Sequence, residues 1–208
     1  MSRILITSGP TRQYLDPVRY LTSASSGRMG KALAEAALAA GHEVVVVSGP
    51  VHLRYPDAAQ VVPVVTTGQM LAASREAFET CAGLIGAAAP CDYRPKHVES
   101  DKIAKTGQPL LLHLVETGDI VASLGATKGH RWVVGFALET HDHRLRAVAK
   151  LQRKCCDLMI SNGVEALQAT HNQVEILDPA GTVLAQAAGS KELVARRILA
   201  TIEEQLLA

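Results

Sequence analysis

The chain has 208 residues, 48% of them hydrophobic, and a formal net charge of +1. That length suits a single domain over residues 1–208 with a sizeable core. The near-neutral charge excludes a clustered basic footprint for nucleic acid, and no apolar run approaches the roughly 20 residues of a membrane span.

In chain order, the first apolar run, residues 4–7 (ILIT), reads as a strand, and the ten residues MSRILITSGP lead into it without signal-peptide architecture. A cytoplasmic address is therefore expected. The loop TSGPTR follows, with Gly9 in its middle, and then the stretch YLTSASSGRMG. Residues 22–27 of that stretch are all small, and a helix is expected from about residue 26 to residue 40. Two readings of its start stand side by side. Ser25 or Ser26 offers an N-cap oxygen to a first-turn N–H. Alternatively, the small residues let a phosphate approach the free N–H groups of the helix end, with Arg28 and Lys31 adding positive charge. Gly9, Ser25, Ser26 and Gly27 are the candidate phosphate- or substrate-binding residues on this second reading.

Strands are expected at residues 43–48 (EVVVVS), 60–65 (QVVPVV) and 83–88 (GLIGAA), with a helix over 70–80. Residues 90–114 show no helical pattern and contain DKIAKTGQP, which reads as a lid or binding loop, mobile over about 90–110. A fifth strand is expected at 132–137 (WVVGFA), a helix over 143–155 and a sixth strand at 158–161 (LMIS). Residues 173–177 and 182–186 flank Asp178-Pro179-Ala180-Gly181 as a hairpin, and a helix over 190–206 closes the chain. Continuous Val/Ile strands alternating with helices predict an α/β fold. The expected architecture is a Rossmann-like, doubly wound, mostly parallel sheet with a flexible lid loop and a C-terminal β-hairpin.

Such a sheet binds ligands beyond the carboxyl ends of its strands. Dinucleotide binding fits poorly, because no G-x-G-x-x-G follows strand one and no acid ends strand two. The tyrosine–lysine dyad of short-chain reductases and the Walker A pattern are also missing. The four cysteines, Cys81, Cys91, Cys155 and Cys156, match no zinc spacing and read as reduced thiols. Positive charge remains as the chemical signal. Lys102 and Lys105 lie in the lid, and Lys150 and Lys154, spaced i, i+4, share a helix face. With Asp92 they suit a triphosphate, Asp92 holding a divalent cation or a ribose hydroxyl. The plainer reading makes the lysines solvated surface residues and Asp92 an Asx-turn acid.

TSGPTR…DPVRYLTSASSGRMG, AAAPCDYRP, DKIAK, GFALET and KLQRKCCDLMISN occur in an order that resembles the phosphopantothenate–cysteine ligases, over nearly the whole chain. These are the synthetase half of the coenzyme A flavoprotein family. The resemblance implies ligation of phosphopantothenate to cysteine with CTP and Mg2+, through an acyl-cytidylate that releases pyrophosphate and then CMP. It also implies Gly86, Ala87 and Ala88 facing the base through their backbone, and Asp92 serving the nucleotide or its metal. Lys102 would be catalytic at the α-phosphate, with Phe136, Lys150 and Lys154 completing the nucleotide pocket. A homodimer is implied. So is a stand-alone synthetase without flavin, the decarboxylase being a separate protein. ATP in place of CTP stays open.

The chain departs from the family pattern in three places. Ser23 stands where the family carries an asparagine associated with the second half-reaction, so Ser23 is a candidate catalytic position. Gly118 in ETGDI stands where a proline is usual, and Gly163 follows Asn162 where an aspartate is common. The alternative reading is a catalytically weakened nucleotide-binding or regulatory homologue, stalled at the acyl-cytidylate because of Ser23.

Overall fold

The computed structural model describes residues 1–139, 143–163 and 172–207. Its centre is an eight-stranded sheet. In chain order the strands are β1 (Arg3–Ser8), β4 (Glu43–Ser48), β5 (Gln60–Pro63), β6 (Gly83–Gly86), β9 (Trp132–Glu139), β10 (Leu158–Gly163), β11 (Asn172–Leu177) and β12 (Val183–Gly189). Two small hairpins stand outside the sheet: β2 (Arg12–Tyr14) with β3 (Tyr20–Thr22), and β7 (Tyr93–Pro95) with β8 (Leu114–Glu116). The helices are α1 (Arg28–Ala39), α2 (Thr67–Phe78), α3 (Ile120–Gly125), α4 (His143–Arg153) and α5 (Lys191–Leu206). None of the described helices is long and apolar enough to cross a membrane.

The strand order is β12-β11-β10-β9-β6-β1-β4-β5. Neighbours from β10 to β5 pair in parallel, whereas β11 and β12 add an antiparallel edge. The β1–β4, β6–β9 and β9–β10 crossovers run through helices, as right-handed β-α-β connections do, whereas residues 49–59 link β4 to its parallel neighbour β5 without one. The chain first winds outward from β1 to β4 and β5, then returns to the other side of β1 with β6. The topological switch point therefore lies between β1 and β6, where the loops after both strands leave a crevice.

The Val/Ile/Leu runs follow from burial on both faces. Ile4, Ile6, Val44, Val46, Ile85 and Ile160 pack with α1 and α5. Leu5, Val45, Val47, Leu84, Val133 and Met159 turn to the opposite layer with α2, α3 and α4. Alternation along each strand thus assigns neighbouring residues to different layers.

The expected elements hold, with shifted ends. α1 begins at Arg28 rather than 26, α2 begins three residues earlier than its apolar pattern, and β6 stops at Gly86 before Ala87 and Ala88. α2 starts early because Thr66 and Gln69 form a capping box. α4 ends at Arg153, so Lys154 lies one residue past it, joined by its N–H to the Lys150 carbonyl at 2.9 Å. The two small hairpins and α3 are elements that the sequence reading did not include. α3 is only six residues long and is capped by the Asp119 carboxylate on the Ala122 N–H at 3.0 Å.

Candidate functional site

Gly9, just after β1, adopts φ +76°, a left-handed conformation that turns the chain across the switch point. There its carbonyl accepts the Ala89 N–H at 3.0 Å, and Pro10 pairs with Ala89 in a parallel bridge. The loops after β1 and β6 are thereby fastened together. Ser23 joins the same point, donating its hydroxyl to the Ala89 carbonyl at 2.6 Å. Thr22 Oγ1 donates to the Thr11 carbonyl at 2.8 Å. Gly9, Ser23, Ala87 and Ala88 are thus brought to one place.

Helix α1 settles part of the ambiguity at its start. Its N-cap is Gly27, again left-handed at φ 75°, and no side chain caps it. Ser25 only accepts the Gly27 N–H, at 3.4 Å, and Ser26 is exposed. The serine-cap reading is therefore wrong, and the first-turn N–H groups carry no side-chain cap. Beneath them lies a buried hydroxyl chain. Tyr55 OH donates to Ser8 Oγ at 2.8 Å and lies 2.9 Å from Ser48 Oγ, and Ser8 Oγ donates to the Gly27 carbonyl at 3.2 Å.

A second polar cluster holds Asp92. Thr67 Oγ1, at the first turn of α2, lies 2.7 Å from Thr11 Oγ1, accepts Gln13 Nε2 at 2.8 Å and donates to the Cys91 carbonyl at 3.1 Å. Thr11 Oγ1 accepts the Cys91 N–H at 2.8 Å, and Thr117 Oγ1 donates to the Cys91 carbonyl at 2.8 Å. The Asp92 carbonyl accepts the Thr117 N–H at 2.8 Å. Asp92 itself is exposed, and its carboxylate makes no hydrogen bond or ion pair among the described residues. The Asx-turn reading of Asp92 is therefore overturned. No other threonine or glutamine of this cluster carried a sequence signal, because each acts through partners 24 to 80 positions away.

Gly86 ends β6 directly beneath α3, where a Cβ would lie 2.6 Å from Val121 Cγ2. Lys154 reaches the same helix, its Nζ 3.0 Å from Asp119 Oδ2. Burial pushes the Asp119 pKa up, but the Ala122 N–H and the Lys154 charge outweigh it and hold it below 3.8. Lys154 is thus ion-paired rather than free, and Asp119 is a partner the sequence reading missed. The signal was present, since an acid before a short apolar run is an N-cap pattern. Phe136 is half-buried on β9, opposite Ile160 of β10. Lys102 and Lys105 are exposed on the segment between β7 and β8. Among the described residues no group of three His, Cys, Asp or Glu could hold a metal ion.

A family model described as the DNA/pantothenate metabolism flavoprotein C-terminal domain matches residues 1–206. The chain belongs to this family. It is 44% identical over 165 residues to the coenzyme A biosynthesis bifunctional protein CoaBC of Vibrio cholerae, covering 78% of this chain and 41% of that protein. It is 38% identical over 214 residues to the CoaBC protein of Vibrio parahaemolyticus, covering 97% of this chain and 52% of that one. The chain spans about half the length of the curated relatives it matches. Among solved structures it is similar to the C-terminal domain of a CoaBC protein, with 36% identity and a TM-score of 0.85, covering 99% of this chain and 95% of that one.

Proposed function

We propose that this domain carries out a ligase step of coenzyme A biosynthesis, joining phosphopantothenate to cysteine at the expense of CTP. The observation that supports the reading is the meeting of Gly9, Ser23 and Ala89 at the switch point, three residues before an exposed Asp92 whose carboxylate makes no hydrogen bond or ion pair among the described residues. A carboxylate oxygen of the substrate attacks the α-phosphorus of CTP, the bond to the bridging oxygen breaks, and pyrophosphate leaves. The cysteine amine then attacks the acyl carbon, CMP leaves with the phosphate oxygen, and the amine proton passes to solvent.

The residues present suit this chemistry, which needs charge neutralisation and positioning rather than a strong nucleophile. Gly86, Ala87 and Ala88 offer backbone groups to the base, with Phe136, Lys150 and Lys154 around the nucleotide. Lys102 neutralises the charge developing at the α-phosphate. The uncapped start of α1, with Gly9, Ser25, Ser26 and Gly27, receives a phosphate. Asp92 is the residue that would hold a magnesium ion brought in with the phosphates. Bound there, the ion would supply further neutralisation of phosphate charge. No flavin is required for this step. A cytoplasmic homodimer is proposed, with exposed Val98, Leu110, Leu111 and Leu114 as apolar surface for it to cover. An active species that is strictly monomeric by light scattering would refute the dimer.

One observation favours a second reading, a homologue stalled at the acyl-cytidylate. The only hydrogen of the Ser23 hydroxyl is directed to the Ala89 carbonyl, so it has no donor left for an acyl intermediate. Purified protein with Mg2+, CTP and phosphopantothenate, with and without cysteine, separates the two when pyrophosphate, CMP and amide are followed together. Amide with matching CMP supports the ligase. Stoichiometric pyrophosphate with an intermediate that cysteine does not discharge supports the stalled form. No turnover with CTP or ATP would refute both.

A further inference from the structure

Residues 96–113 form a strap between β7 and β8 that bears Lys102 and Lys105 and contains no helix or strand. The strap closes at its base, where the Lys96 N–H donates to the His113 carbonyl at 2.8 Å. Among the described residues, its hydrogen bonds to the rest of the chain all fall on the tip of the β2–β3 hairpin. The Glu99 N–H donates to the Leu15 carbonyl at 2.9 Å. The Ile103 N–H donates to Asp16 Oδ2 at 3.1 Å, and Arg19 Nη2 donates to the Ile103 carbonyl at 2.9 Å.

Asp16 is fully buried, with 0% exposure, and every bond it accepts serves this junction. Its Oδ1 accepts the N–H groups of Val18 at 2.8 Å and Arg19 at 2.7 Å, which shapes the hairpin tip. Its Oδ2 faces the strap and also takes Arg19 Nη1 at 3.2 Å. Burial raises the pKa of this carboxyl, but the N–H groups of Val18, Ile103 and Arg19 and the guanidinium charge overcome that and lower it below 3.8. A buried carboxylate that accepts from two segments 87 positions apart sets where they lie relative to one another.

The Ile103 N–H belongs to the peptide group that follows Lys102. Gripping Ile103 at both its N–H and its C=O therefore fixes the backbone on one side of Lys102, while the lysine side chain stays exposed. We propose that Asp16 is a positioning residue: from the hairpin tip it holds the strap so that Lys102 starts from a fixed point over the nucleotide. The catalytic part of this inference rests on the ligase reading; the grip itself does not. A strap left loose would have to be ordered at each turnover, and that ordering opposes both binding and rate.

Two variants test it from opposite sides. Asp16→Asn keeps the shape but places an NH2 donor against the donors of Ile103 and Arg19. Ile103→Pro removes the N–H that Asp16 accepts and leaves the hairpin tip intact. Limited trypsin digestion is read at Lys105, since a Lys102–Pro bond resists cleavage. Cleavage there is expected to rise about tenfold in both variants, because cleavage follows the population of the open strap; melting temperature should stay near wild type in Ile103→Pro, which strands no donor, and fall in Asp16→Asn, which does. Pyrophosphate release at saturating CTP should fall by about ten- to a hundredfold, with a smaller change in the KM for CTP, the range expected for one charged buried hydrogen bond. On a Lys102→Ala background, Asp16→Asn should add little further loss. Equal cleavage of wild type and both variants would overturn the grip, and multiplying losses of Asp16→Asn and Lys102→Ala would overturn the link to Lys102. If the wild type releases no pyrophosphate, the ligase reading falls, and the digestion still decides whether Asp16 holds the strap.

Discussion

Thr67→Val tests the cluster that holds the Asp92 loop, bond by bond. The Thr67 hydroxyl is saturated: it accepts from Gln13 Nε2 and Thr11 Oγ1, and gives its own hydrogen to the Cys91 carbonyl. Thr11 is the donor to Thr67 because the single hydroxyl hydrogen of Thr67 is given to the Cys91 carbonyl, which leaves Thr67 only acceptor lone pairs. Valine matches threonine in shape, so no cavity opens, but it leaves two buried donors without partners. Gln13 is 6% exposed and Thr11 0%, so water does not replace the lost acceptor. The Cys91 carbonyl keeps Thr117 Oγ1 and is not orphaned. At about 1–3 kcal/mol for each of the two stranded donors, the loss is about 2–6 kcal/mol. For a chain of this size that is a fall in melting temperature of about 4–24 °C. Thermal unfolding of wild type, Thr67→Val and Thr67→Ser decides it, with Thr67→Ser expected near wild type. A Thr67→Val protein melting within about 2 °C of wild type would refute the assignment of these bonds. Weaker CTP binding should accompany the destabilisation, since Asp92 follows Cys91 directly.

Gly30→Ala should destabilise by about 1–3 kcal/mol in denaturant unfolding, the usual cost of overpacking; its Cβ would lie 2.1 Å from Ser8 Oγ, beneath the start of α1. Ser23→Asn should speed discharge of the acyl intermediate by cysteine in single-turnover quench, because an amide brings donors beyond the one that Ser23 spends on Ala89; an unchanged discharge rate counts against a role for this position. The folded pKa of Asp119 is depressed, so its contribution to stability is present above the unfolded value and is lost as pH falls below about 3.8 through the folded value. Asp119→Asn should flatten the acid limb of a stability–pH curve, and an unaltered limb would contradict the pairing with Lys154. Burial pushes the Cys156 thiol up to about 12, whereas the neighbouring Cys155 is exposed. Iodoacetamide at pH 8 should therefore label Cys155 and spare Cys156, as peptide mapping would report.

The strands of the central sheet were legible because burial on both faces forces unbroken Val/Ile runs such as Glu43–Ser48, which matches its expected bounds. α1 and α5 were legible from their periodicity, but their ends were set by capping. Gly27 rather than a serine starts α1, and Ser190 caps α5 through the Leu193 N–H. The hairpins β2–β3 and β7–β8 were not legible, since three-residue strands carry no period and are held by distant partners. Candidate site residues near Gly9 and Gly86–Ala88 were legible from their place after strands one and four. Asp16 and Thr67 were not read, because they act through bonds to residues far away in sequence, whereas the N-cap pattern at Asp119 was present and was missed.

The switch point also orders the assembly of the chain. β1 pairs with β4 about 40 positions on, so β1, α1 and β4 are a unit of modest loop closure. β6 reaches the other side of β1 only after about 80 residues, and the strap meets the hairpin tip later still. During synthesis, one rim of the crevice exists before its opposite wall has left the ribosome. Until β6 docks, the open edge of β1 is an unpaired strand with an apolar centre at Ile4, Leu5 and Ile6, the kind of surface that aggregates. Substitutions along the β1–β6 seam should therefore lower soluble yield more than their effect on the finished fold alone.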